Sequence, residues 1–273
     1  GCLFIRGLPG TGRRQLADQI AKNWGWERMY VPEKEQVEPT LVEIEEVITS
    51  QTHGLVIAAP LFDSPGGDTF IGWIHQLQEW QPGLLVDTLC LTSSPDNRAN
   101  RLKERGEEVS GKANTCPVGT KRIPSDNISS KTLLDAVEWL VGRNKKQLRF
   151  ATSADISQIQ LLKAEKIQET FSGFLNPDEL KREIDLVCSR ESIENMLCRG
   201  SVLIAERDDQ IWALGAIREI EDRRMLLYSG YSYGAGAGAA MMARGIEIGE
   251  QSGSSCFQGN AFRDNSQGRG LLK

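Results

Sequence analysis

Apolar positions along the 273-residue chain fall into two kinds of run. Short runs without polar interruption read as buried strands, and apolar residues returning every three or four positions read as helices with one buried face. Leu3 to Arg6 is of the first kind and ends in the glycine-rich Gly7-Leu8-Pro9-Gly10-Thr11-Gly12. Leu16, Ala17, Ile20 and Ala21 then recur at helical spacing up to Trp24-Gly25. The helical pattern returns over Val37 to Ser50, through Leu41, Ile44, Val47 and Ile48, and Gly54 to Ala59 is a continuous apolar run. A helix is predicted over Thr69 to Trp80, a strand over Leu84 to Thr92, a charged helix over Asn97 to Glu108 and a polar loop over Gly111 to Asn127. Ser130 to Val141 closes this half as a helix with Leu133, Leu134, Val137 and Leu140 on one face. Strands alternating with helices predict βαβ units around a parallel sheet.

Gly142-Arg143-Asn144-Lys145-Lys146 breaks the pattern, which predicts one domain over residues 1–143 and a second over 147–273. Beyond the break, Leu148 to Ala151 reads as a strand and Ile156 to Glu169 as a helix. Asn176-Pro177-Asp178-Glu179 opens another helix, with an N-cap, proline in the first turn and acids at the positive end of the helix dipole. Ser201 to Arg207, Ile211 to Ile220 and Met225 to Tyr231 are strand-like runs separated by polar turns, an antiparallel meander. Gly234 to Gly238 is a glycine-rich turn that opens a helix to Glu250. The predicted fold class is α/β, a parallel-sheet domain followed by an α+β domain with a mixed, mainly antiparallel sheet.

A composition of 40% hydrophobic and 25% charged residues is that of an ordinary folded chain. No apolar run approaches the roughly 20 residues of a bilayer span. The opening apolar segment has no basic flank of the secretory kind, so a cytoplasmic location without membrane contact is expected. A net charge of -5 argues against nucleic-acid binding, which needs clustered excess Lys and Arg, but leaves room for small anions at a local positive site. Six scattered cysteines without a C-x-x-C pair predict neither a zinc site nor a disulfide framework. His53 and His75 lack triad or metal spacing. Gly1 in place of Met, and an end at Lys273 inside a helical stretch, lead to the expectation of a piece of a longer chain. No motif reads out oligomeric state or acceptor substrates.

The first glycine loop stands between a strand and a helix, where backbone N–H groups and the helix N-terminus converge on phosphate. Gly7, Gly10, Thr11, Gly12 and Arg13 are its candidate nucleotide contacts. A full phosphate loop continues with Lys, which reaches the β- and γ-phosphates, and Ser or Thr, which holds magnesium. Here Arg13 and Arg14 stand there; Arg13 keeps the charge, and Arg14 cannot ligate a metal. Leu89 to Asp96, followed by Arg98, Arg101 and Arg105-Gly106, makes residues 1–143 resemble small P-loop kinases of the adenylate and gluconate kinase kind. That resemblance implies ATP as ligand and Arg101 and Arg105 as phosphate contacts. Asp63 is the candidate magnesium-shell carboxylate, although a turn Asp before Ser64-Pro65 explains it equally well.

From Arg149 on, the chain resembles the GNAT superfamily of N-acetyltransferases. The likeness rests on Arg149 to Thr152 with Asp155 and Ile156, on Val202 to Glu206, on Leu214-Gly215-Ala216, and above all on Tyr233-Gly234-Ala235-Gly236-Ala237-Gly238. The family's pyrophosphate loop reads [Q/R]-x-x-G-x-[G/A]; Gly236 and Gly238 fit, and Tyr233 departs from Gln or Arg. The resemblance implies acetyl-CoA held by Gly234, Ala235, Gly236, Ala237, Gly238 and Asn265, and an amine acceptor, of small-molecule or peptide kind, that attacks the thioester. It implies a carbonyl-polarising N–H near Leu227 to Gly230 and a base, for which Glu219 and Glu221 are the candidates. The family's last strands and its general-acid Tyr lie beyond Lys273, so this half is expected to be truncated. Three functions stay open: an N-acetyltransferase fused to a degenerate P-loop domain, a small-molecule kinase with an accessory acetyltransferase domain, and a non-catalytic nucleotide-sensing module.

Overall fold

The computed structural model describes residues 1–31, 37–50, 54–60, 72–74, 76–77, 79, 84–107, 116, 120–126, 128–199, 201–221, 224–228, 232–234 and 236–260. They form two compact units, Gly1–Ser130 and Lys131–Lys273.

The first unit is built on β1 (Cys2–Gly7), α1 (Arg13–Trp24), β2 (Glu27–Tyr30), α2 (Val37–Ser50), β3 (Leu55–Pro60), β4 (Val86–Thr92), α3 (Pro95–Glu104) and β5 (Lys121–Pro124). The five strands are all parallel in the order β2-β3-β1-β4-β5. Central β1 and β3 are buried at every position; β3 is apolar throughout, and β1 buries Arg6 after its apolar run. Cys2, Phe4, Leu55, Ile57, Ala59 and Ile44 of α2 share one core, which Trp73 and Leu77 complete. β5 lies within the stretch predicted as loop, because it carries one fully buried apolar residue, Ile123, and offers no period to detect. Cys90 on β4 is disulfide-bonded to Cys116, a correction to the expectation that the cysteines form no disulfide framework: the two stand 26 positions apart in sequence, and the fold alone brings them together.

The second unit begins with α4 (Ser130–Leu140), whose first residue closes the first unit, and continues through β6 (Lys146–Phe150), α5 (Ile156–Phe171), α6 (Pro177–Val187), α7 (Arg190–Arg199), β7 (Ser201–Arg207), β8 (Gln210–Glu221), β9 (Arg224–Tyr228), α8 (Ala237–Gln251) and β10 (Cys256–Asn260). The strands are ordered β10-β9-β8-β7-β6, antiparallel except for the parallel pair β9 and β10. The division between units falls before α4, whereas the sequence pattern breaks after it. The side-chain reason is Lys146 at the start of β6, 3% exposed, whose ammonium lies 2.6 Å from Glu138 and 3.2 Å from Asp135 on α4.

α6 starts as its sequence predicts: Asn176 accepts from the Glu179 N–H at 2.9 Å and the Glu179 carboxylate accepts in return from the Asn176 N–H at 3.1 Å. Asp155 caps the turn before α5 and takes a bidentate hold from Arg149 at 2.8 and 2.9 Å. That guanidinium, helped by the Thr152 N–H and hydroxyl, holds the Asp155 carboxyl down at about 2. Ile156, Ile159 and Leu162 of α5 pack against Val202, Ile204, Ile211 and Leu214 of the sheet. Among the described residues no helix is long and apolar enough to cross a membrane.

Candidate functional site

Each unit places a glycine turn between a strand and the N-terminus of a helix. In the first unit, Gly10 and Gly12 have φ of 82° and 87°, the left-handed region where a Cβ is strained. A side chain on Gly10 would also stand 3.0 Å from the Arg98 carbonyl oxygen of α3, so the loop lies against that helix. The Thr11 hydroxyl donates to the Leu8 carbonyl at 2.8 Å inside the loop.

Cations brace this loop through its carbonyl groups. Arg13, 4% exposed, turns back and donates to the Gly7 carbonyl at 2.8 Å. Arg101 on α3 donates to the Gly10 carbonyl at 3.1 Å and to the Ser125 carbonyl at 3.3 Å, and pairs with Asp126 at 3.4 Å. Burial alone would push the Asp126 carboxyl up; hydrogen bonds from the Ser93 hydroxyl and the Ser94 N–H at the start of α3 more than reverse this and hold it below the usual range. Arg6 and Arg98 are also buried, at 2% and 4% exposed. Arg105 caps α3 and is exposed, and Arg14 is exposed with its guanidinium 5.7 Å from the Tyr30 ring centre.

The structure thus brings Gly7, Gly10, Thr11, Gly12, Arg13 and Arg101 together. Asp63 lies outside the described residues, and among these no cluster of three His, Cys, Asp or Glu stands ready for a metal. Arg14 stands where a hydroxyl would hold magnesium, so the described donor set does not fit that ion.

In the second unit, Tyr233 follows β9, and its N–H donates to the Trp212 carbonyl of β8 at 2.9 Å. Its hydroxyl donates to Glu165 on α5, its ring lies 4.4 Å from the Lys166 ammonium, and Trp212 meets it edge-on at 6.2 Å between ring centres. The bond to Glu165 pushes the phenol up to about 12. Tyr233 therefore fastens the turn to α5. Gly234 and Gly236 follow at φ of 89° and 75°, and α8 starts directly after Gly236. Ala237, Ala239, Ala240 and Ala243 are buried, and these small side chains let α8 lie close to the sheet.

Because β9 and β10 are parallel, α8 is a crossover helix, and its N-terminus stands at the carboxyl ends of both strands, where α/β folds hold anions. Gly234, Gly236, Ala237 and Gly238 share this place, which suits a pyrophosphate; Ala235 and Asn265 lie outside the described residues. The strand register sets Glu219 opposite Met225 and Glu221 opposite Arg224, at the start of β9, while the turn follows its end at Tyr228. Three to four residues at ~3.3 Å each separate the two candidate bases from the turn end. Glu219 is exposed, and the side chain of Glu221 is not among those described.

No family model and no curated protein matches the sequence. Among solved structures, the chain is similar to the PaiA N-acetyltransferase of Thermoplasma acidophilum in complex with coenzyme A, at 18% identity and a TM-score of 0.42 over 45% of this chain and 84% of that one. A predicted acetyltransferase with acetyl-CoA from Clostridium acetobutylicum gives 19% identity and a TM-score of 0.36 over 45% of this chain and 85% of that one. A gluconokinase from Sinorhizobium meliloti gives 15% identity and a TM-score of 0.34 over 49% and 87%.

Proposed function

We propose that the second unit is an acetyl-CoA-dependent N-acetyltransferase and that the first binds the phosphates of a nucleotide such as ATP without magnesium, as a regulatory or structural module. The observation that carries the first half is the βαβ arrangement of β9, α8 and β10, with two left-handed glycines at the helix start. N–H groups of the first turn of α8 would hold the pyrophosphate of acetyl-CoA. Acetyl-CoA supplies an activated thioester acyl group. The acceptor is an amine, of small-molecule or peptide kind; its nitrogen would take the acetyl group as the C–S bond breaks and coenzyme A leaves as its thiol, with the amine proton passing to a base drawn from Glu219 or Glu221. A backbone N–H near Leu227 would polarise the acyl carbonyl.

For the first unit, Arg13 and Arg14 favour binding over phosphoryl transfer, since neither supplies a metal ligand. Calorimetric titration of the full chain tests both halves. Acetyl-CoA binding that is abolished by Gly234→Val, at a positive-φ position of the turn where a side chain meets nothing within 4 Å, supports the transferase; binding left unchanged by that substitution removes this turn from it. ATP affinity unchanged by magnesium supports the sensing module; a tenfold or greater gain on adding the metal would return the first unit to the kinases.

A further inference from the structure

We infer that α4 is a built-in cover for the glycine turn at the start of α8, so that the pyrophosphate of acetyl-CoA enters only when α4 moves aside. This rests on the transferase reading above. A Cβ on Gly236 would overlap the Ala136 amide nitrogen and stand 2.7 Å from the Asp135 carbonyl carbon and 2.8 Å from the Thr132 oxygen. The space in front of Gly236 is filled by helix backbone, and the nearest oxygen, the Thr132 carbonyl, brings partial negative charge to the end of the helix that favours it. Burial agrees at the helix start: Gly236, Ala237, Ala239 and Ala240 are closed to solvent and Gly238 is half-buried, while Gly234 on the outer side of the turn is exposed; an open anion site presents its first turn to water.

The cover is held by a clamp and carries its own hinge. Lys146 grips Glu138 and Asp135 and lies 5.7 Å from the Trp139 ring centre. Asp135 therefore belongs both to the surface that abuts Gly236 and to the clamp. Between α4 and β6, Gly142, Asn144 and Lys145 all have positive φ, 71°, 55° and 58°. A lysine in this region is strained, and such strain gathers where a segment switches between two positions. Weakening the clamp should release α4, raise the fraction of open turn and tighten ligand binding in proportion.

The test is hydrogen–deuterium exchange of the full chain with and without coenzyme A, joined to titration of the Asp135→Asn/Glu138→Gln double variant. A cover predicts that coenzyme A speeds exchange in 131–140 while slowing it in 237–241, and that the variant binds about tenfold more tightly. Binding seen only in the variant supports the cover as well. Binding to the unaltered chain with exchange in α4 unchanged or slowed overturns the cover and leaves the transferase standing. Should the double variant not fold, the exchange pattern of the unaltered chain decides alone. No binding by either folded protein overturns both.

Discussion

The two glycine turns use the same backbone device and differ in what occupies the space around it. The loop at 7–12 is braced from within by guanidinium groups, Arg13 on the Gly7 carbonyl and Arg101 on the Gly10 carbonyl. The turn at 233–238 is fastened by a tyrosine on one side and closed by the backbone of α4 on the other. Positive φ makes a turn able to present N–H groups; neighbours decide whether those groups are available. A glycine pattern alone therefore states a capacity, and the packing around it states the condition under which it is used.

The largest expected effect separates the units by their covalent chemistry. The first unit holds the Cys90–Cys116 bridge, while Cys188, Cys198 and Cys256 of the second are free thiols. Closing a loop of this length is worth about 3.5 kcal/mol in the chain-entropy model. Calorimetric scans with and without reductant should show the first unit melting earlier and the second unmoved; a shift in the second would break the separation.

Gly236→Ala against Gly10→Ala sharpens the contrast further. Both substitutions meet positive φ, costing about 1 kcal/mol or more. At Gly236 the methyl must also displace α4, for a total of about 3 kcal/mol against about 1–2 at Gly10. Denaturant unfolding followed by amide exchange in each unit would measure this, and equal losses would argue against tight packing of α4.

Acid acts on the second unit through Asp155. Its carboxyl is held at about 2 in the folded chain against an ordinary 3.8, so the stability it confers is present above the ordinary value and lost as pH falls through the folded one. That contribution is about 2 kcal/mol. An acid titration between about pH 5 and 2 should show it in the native chain and a flatter curve in Asp155→Asn.

The smallest effect is expected from Tyr233→Phe. It removes an exposed hydrogen bond to Glu165 and should cost about 0.5–1 kcal/mol, while loosening the turn. A loss above about 2 kcal/mol would mean that Tyr233 holds the whole unit together.

Much of the architecture was written in local pattern. The runs at Leu3 to Arg6 and Gly54 to Ala59 became central strands, Val37 to Ser50 became α2 at those bounds, and the Asn176-Pro177 start became a capped helix. What local pattern missed was short or dependent on partners. β5 has one buried residue and, among the described residues, β10 pairs along β9 alone, so neither carries a period of its own. The charged helix 190–199 fully buries only Ile193, with Met196 and Leu197 half-buried beside it, a stripe of one turn among charged residues.

The sequence by itself determined that two glycine turns would each stand between a strand and a helix, because glycine's freedom at positive φ and apolar spacing are properties of neighbouring residues. Only the tertiary structure decided that Arg13 turns inward, that Cys90 meets Cys116, that α4 joins the second unit through Lys146, and that its backbone lies on Gly236. Those outcomes depend on groups distant along the chain arriving at one point in space, and close packing, burial and charge pairing act on that arrival.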